Sequence, residues 1–221
     1  MPLSDLQARR VYDRIGRLQD SQAFYEDAAV ERMLALGDLA SATAVFELGC
    51  GTGRLARRLL AERLPPAATY VSTDISPRMT QIAEARLGPW AGRARVVTLE
   101  PGGERLPGDD GAFDRFVATY VFDLLEERDT GRLLDEAARL LGRGGLLCAV
   151  GITAGPGGLT RFVMNGWAKI AARVPELVGG CRPIDLRPHL STERWAITAS
   201  EVVTRWAVSS QVVVARRTDA T

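Results

Sequence analysis

Cysteine is scarce in this chain. Cys50, Cys148 and Cys181 are its only three, widely separated and without a C-x-x-C pair. That pattern excludes a disulfide framework and the usual zinc sites, and a reducing, cytoplasmic setting is the simplest expectation. Histidine is scarcer still, with His189 alone. There is no excess of either charge, since 28 Lys and Arg stand against 27 Asp and Glu. A dedicated nucleic-acid binder carries a basic surplus, so no nucleic-acid partner is expected. Apolar runs fall short of the ~20 residues that span a bilayer, and residues 146–152 are followed by chain-breaking glycines and Pro156. The opening residues Met1–Asp5 lack the basic-then-apolar order of a secretory signal. These absences lead to the expectation of a soluble chain without a transmembrane segment.

What is present is enough apolar sequence, 46% of 221 residues, to bury one substantial core. No repeat, low-complexity tract or linker divides it. One domain is expected over 1–221, with a helical leader at 1–40, a core at 41–152, and an acceptor-side helix and terminal hairpin at 153–221. The leader divides into a helix capped by Ser4-Asp5 and a second over 24–36 that stops at Gly37. Its Tyr12, Phe24 and Tyr25 serve either as packing residues or as a lid. Strands follow at 44–48, 69–74, 94–99 and 113–119. The helices between them carry apolar faces, such as Leu55, Leu59 and Leu60 within 52–64. Ser76-Pro77 is an N-cap followed by proline at the first helical position. A helix over 130–141 leads through Gly142-Arg143-Gly144-Gly145 into a strand at 146–150. Such alternation predicts a parallel sheet with right-handed crossovers. Beyond a helix expected at 159–172, two β-rich runs, 195–205 and 207–215, are joined too tightly for a crossover and must pair antiparallel.

The chain is organised around Val45-Phe46-Glu47-Leu48-Gly49-Cys50-Gly51-Thr52-Gly53-Arg54-Leu55, an apolar strand that runs into glycines at alternate positions and then a helix. Such a corner brings backbone N–H groups and a helix N-terminus to a nucleotide. A nicotinamide fingerprint requires G-x-G-x-x-G, and Arg54 stands where its third glycine belongs. No Tyr-x-x-x-Lys or comparable proton donor is evident either.

Glu47 through Gly53 reads E-x-G-x-G-x-G and resembles the first motif of class I S-adenosylmethionine-dependent methyltransferases. Further stretches agree in order. Asp74 ends the second strand, Glu104-Arg105-Leu106-Pro107 precedes Asp110 to Asp114 like the family's E-x-L-P…D-x-x-F-D, and Thr119-Tyr120-Val121 ends the fourth strand. Leu141-Gly142-Arg143-Gly144-Gly145 is similar to its L-x-P-G-G, with Arg143 for proline. The leader and the E-x-L-P signature look most like the small-molecule group that includes ubiquinone and menaquinone methyltransferases. The resemblance implies an α/β, doubly wound, Rossmann-like sheet of seven strands, mostly parallel with a C-terminal antiparallel hairpin and helices on both faces. It implies S-adenosyl-L-methionine as cofactor, a small-molecule acceptor and no metal.

By position, the resemblance assigns cofactor binding to Glu47, Gly49, Cys50, Gly51, Gly53, Asp74, Ile75, Met79, Gly103, Glu104, Thr119 and Tyr120. Asp74 would take the ribose hydroxyls, and Ile75 and Met79 would pack on adenine. Tyr120 and Asp123 are the candidate catalytic residues, although Asp123 also suits a helix cap. Where the family has an acidic or amide residue facing the adenine amino group, this chain has Gly102. A backbone carbonyl, Glu100 or Glu104 would then take that role. His189 reads as a packing or surface residue more readily than as a base. Cys181-Arg182 is either a turn or a site for an anionic acceptor. Phe162, Met164 and Trp167 would line either core or an apolar acceptor pocket.

Overall fold

The computed structural model describes residues 23–103, 105–155 and 181–218, with Arg9, Gly157, Gly158, Thr160, Met164 and Gly166 in addition. The expected helix after Ser4, with Tyr12, lies outside the described residues, as do Glu104, Phe162, Trp167 and the Phe24 side chain. The elements are α1 (Ala23–Leu36), β1 (Ala44–Leu48), α2 (Arg54–Glu62), β2 (Thr69–Asp74), α3 (Pro77–Leu87), β3 (Ala94–Thr98), β4 (Phe113–Thr119), α4 (Glu127–Leu140), β5 (Leu141–Ile152), β6 (Trp195–Arg205) and β7 (Val208–Arg217). Among the described residues no helix is long and apolar enough to cross a membrane.

One seven-stranded sheet has the order β3-β2-β1-β4-β5-β7-β6. The pairings among β1 to β5 are parallel, whereas β7 runs antiparallel to β5 and β6. The strands are apolar on both faces because successive residues enter two separate cores. Val45, Val117, Cys148, Val150, Val212 and Val214 pack with Met33 of α1 and Leu59 of α2. Phe46, Phe116, Leu147, Val213 and Ala215 face Leu133, Leu134 and Leu140 of α4 on the other side. Helices therefore cover both faces, and β1 and β4 meet at the switch point from which the chain winds in both directions.

The starts of α4 and β5 depart furthest from expectation. The first turn of α4 is Glu127-Arg128-Asp129, three polar residues that leave no apolar period to read, so the helix starts before Thr130. β5 begins at Leu141, because the strand continues through residues 142–145 as a bulge, with Gly144 at φ 74°, at a register shift opposite Phe113–Arg115. The β6–β7 hairpin closes through Trp206 and Ala207, which take positive φ of 51° and 64° without a glycine.

β4 carries one inward charge. Arg115 is buried, and its guanidinium donates to Gly37 O at 2.8 Å, Asp38 O at 2.6 Å and Ser41 Oγ at 2.8 Å. It fastens the turn between α1 and β1 to the sheet, at the end of the strands remote from the glycine corner.

Candidate active site

The carboxyl ends of the parallel strands open into a cavity of about 390 Å³, lined by Leu48 and Gly49 after β1, Asp74 and Ile75 after β2, Leu99 to Gly103 near β3 and Thr119 to Val121 after β4. A smaller pocket of about 80 Å³ continues from it along the glycine loop, sharing Gly49, Thr119 and Tyr120 and adding Glu26, Glu47, Cys50, Gly51 and Arg54. The structure thus brings together residues that are remote in sequence around one elongated space.

Gly49, Gly51 and Gly53 take φ of 70°, 52° and 74°. At Gly49 glycine is required twice over. The left-handed conformation disfavours a side chain, and a Cβ there would stand 2.4 Å from Val121 Cγ2. The loop is held from β2. Cys50 N–H donates to Thr73 O at 2.9 Å, Gly51 N–H to Asp74 Oδ2 at 2.9 Å, and Ser76 N–H to Asp74 Oδ1 at 2.9 Å. Asp74 therefore joins the loop to the start of α3 while its carboxylate lines the cavity. Ser76 caps α3 through Met79 N–H at 3.1 Å, as its N-cap position demands.

Glu47 is buried under the loop and accepts a hydrogen bond from Ser72 Oγ at 3.2 Å. Burial pushes its carboxyl up to about 7, and the Asp74 charge adds to the rise while the Ser72 bond opposes it. Glu26, one turn into α1, is likewise raised to about 7 by burial, against the pull of Arg54. Arg54 heads α2 and pairs with Asp27 of α1. The residue that breaks the nicotinamide fingerprint thus ties α1 to the glycine corner.

Tyr120 stands at the junction of the two pockets. Its backbone has φ of 56°, a sparsely populated region for an aromatic residue. Its hydroxyl and Ser210 Oγ are 3.0 Å apart, and its ring meets Tyr25 edge-on with centroids 6.1 Å apart and planes at 84°. Burial raises its phenol far above the ordinary value, so it stays neutral. Tyr25, Ile152, Met164 and Cys181 form an apolar cluster against Tyr120, Leu124 and Val208.

Several candidates sit elsewhere. Met79 is fully buried and does not line the cavity, because α3 turns that face into the protein interior; Ile75 alone of the pair lines it. Asp123 lies in the 3-10 turn Phe122–Leu124, where it caps no α-helix, and its Oδ2 accepts Ile152 N–H at 3.3 Å. It is fully buried, lines neither pocket, and burial lifts its carboxyl to about 6. Arg182 spends its guanidinium on Leu125 O, and its N–H donates to Asp123 O at 2.9 Å, so this is a structural turn. His189 belongs to a 3-10 turn outside both pockets. Gly103 lines the cavity. Sequence reasoning missed Glu26, Leu124, Leu125, Asp129 and Arg132, which reach the pockets from α1 and from the approach to α4. Ordinary polar or apolar residues at helix starts gave no signal of it.

Residues 45–145 match the family model described as "Methyltransferase domain". The malonyl-[acyl-carrier protein] O-methyltransferase of Marinomonas sp. (strain MWYL1) is 33% identical over 108 residues, which are 49% of this chain and 38% of that protein. The chain thus spans well under half the length of that relative. Among solved structures, the [4+2]-cyclase SpnF superposes with a TM-score of 0.74 at 18% identity, covering 99% of this chain and 98% of that one. Magnesium protoporphyrin IX methyltransferase from Synechocystis PCC 6803, with bound S-adenosyl-L-homocysteine, has a TM-score of 0.63 at 18% identity, covering 94% and 86%. Residues 45–145 are thus similar to a methyltransferase domain, and the chain shares its fold with the two solved structures. The site would suit S-adenosylmethionine, with a carboxylate at the end of β2, a loop too close-packed for a Cβ, and an elongated cavity with apolar walls.

Proposed function

We propose that the chain transfers the methyl group of S-adenosylmethionine to a small, predominantly apolar acceptor, and that it works as one methyltransferase domain. The observation that carries this reading is the Asp74 carboxylate, which holds Gly51 and Ser76 while lining the cavity. Asp74 accepts the ribose hydroxyls, Ile75 packs on adenine, and the loop from Gly49 to Gly53 carries the amino-acid end beside Glu26 and Glu47. Gly103, Thr119 and Tyr120 supply further walls. When bound, the cofactor supplies an electrophilic methyl: an acceptor lone pair forms the new bond to carbon as the carbon–sulfur bond breaks, its electron pair remaining on sulfur.

The protein's task is then positioning and exclusion of water. Tyr120, fixed by Ser210 and Tyr25, orients the acceptor beside the junction of the pockets. An acceptor bearing an O–H or N–H gives up a proton, and Glu26 and Glu47 are the pocket carboxylates whose raised values suit that task near neutrality. Asp123 supports the wall from behind, by holding the end of β5. The apolar residues of the cavity wall, among them Leu106, Val121, Leu124, Leu125 and Leu133, favour a hydrophobic acceptor, quinone-like or lipid-like.

A panel of hydrophobic phenols, quinols and amines, incubated with methyl-labelled cofactor, tests the reading. Label is expected in hydrophobic members, whereas transfer to polar acceptors alone would overturn the acceptor class. A second reading, in which the chain binds the cofactor without transferring its methyl, is favoured by the full-length likeness to a cyclase, since one fold serves unrelated reactions. Tight binding with no turnover on any acceptor would support it.

A further inference from the structure

The loop after β3 has glycine at position 102, where the family resemblance puts the side chain that meets the adenine amino group. Gly103 N–H closes on Glu100 O at 3.0 Å, with Pro101-Gly102 at the centre of the turn and Gly102 at φ 74°. Proline followed by glycine is what a type II turn demands, and it leaves position 102 bare. Across the cavity stand the first two turns of α4, from which Asp129 and Arg132 line the same space. Arg132 Nη1 reaches over and donates to Gly103 O at 2.8 Å, while its Nε faces Asp129 Oδ1 at 3.7 Å. At 3.7 Å this is an ion contact and not a hydrogen bond, so the carboxylate keeps its acceptor capacity for a ligand. Asp129 is also carried by a 14-residue helix, a more rigid mount than the exposed turn that carries Glu100.

We propose that Asp129, oriented by Arg132, accepts a hydrogen bond from the 6-amino group of the cofactor's adenine, so that α4 reads the base in place of the β3–β4 loop. The inference rests on the cofactor reading above. It makes Asp129 a specificity residue. Hypoxanthine carries a carbonyl oxygen in place of the amino group, and a carboxylate facing that oxygen is left unpaired and repelled.

The test is calorimetric binding of S-adenosylhomocysteine and of S-inosylhomocysteine to wild type and to the D129N, D129A, E100Q and E104Q variants, each checked by thermal melting. Wild type is expected to prefer the adenosine ligand by roughly tenfold or more, and both Asp129 variants to bring that ratio within about threefold. An Asp129 that merely steadied Arg132 would weaken both ligands alike and preserve the ratio, which would overturn the proposal. So would a wild type that does not discriminate, or loss of discrimination in E100Q or E104Q with its retention in D129N. Failure of wild type to bind either ligand would overturn the cofactor reading itself, and so separates the two.

Discussion

Asp74 Oδ2 accepts the Gly51 N–H at 2.9 Å, which makes the carboxyl end of β2 and the glycine loop after β1 a single unit. Removing that carboxylate takes away a ligand partner and a loop support together. Asp74→Ala should weaken S-adenosylhomocysteine binding by about 1–3 kcal/mol by calorimetry. Asp74→Asn retains one acceptor oxygen and should fall between. Unchanged affinity in the alanine variant would place the ribose elsewhere.

Gly49→Ala tests the loop's close packing. Its Cβ would lie 2.4 Å from Val121 Cγ2, at a backbone φ of 70°. Urea denaturation should show a loss of about 2–3 kcal/mol, combining the clash with the left-handed conformation. Val121→Ala in the same chain should restore part of the steric loss but not the conformational part. A strictly additive double variant would mean that the two residues are not coupled.

Glu47 sets a pH dependence whose sign follows from its raised value. A carboxyl near 7 in the native state and near 4.5 when unfolded binds its proton more tightly in the folded protein. Its contribution is therefore full below pH ~4.5 and is lost as pH rises through about 7, by up to about 3 kcal/mol. Glu26 and Asp123 act in the same direction. Wild type should lose more stability than Glu47→Gln between pH 5 and 8 when both are titrated with urea. Equal losses would show that Glu47 is ionised throughout.

The hairpin turn offers a stabilising change. Trp206 and Ala207 occupy left-handed conformations that favour Asn and Gly in a two-residue loop. Ala207→Gly should raise stability by about 1 kcal/mol, seen as a higher melting temperature with cofactor affinity unchanged. A lower melting temperature would contradict the strain.

Much of the fold was legible because each central strand is a short apolar run bounded by turn residues. β1, β2 and β4 fall where their sequences put them, and Ser76-Pro77 marks α3 to the residue. Illegible parts lacked a local signal. Glycines 142, 144 and 145 show no side-chain period, so the true start of β5 was hidden, and the polar opening turn of α4 concealed both its boundary and its place on the cavity wall. The glycine loop and Asp74 announced themselves by residue type. Tyr120's fixation could not be read, since its partners Tyr25 and Ser210 come from opposite ends of the chain and meet only through the sheet order. Met79 lies in the interior and off the cavity wall, a distinction between core and ligand face that helical spacing alone does not make.

The most direct measurement is an experimental structure determined with S-adenosylhomocysteine. The nucleoside is expected in the cavity of about 390 Å³, with its ribose on Asp74 and its base between Ile75 and the start of α4, and the amino-acid tail along Gly49 to Gly53 beside Glu26. Ligand density at any other place, or a ribose out of reach of the Asp74 carboxylate, would contradict it.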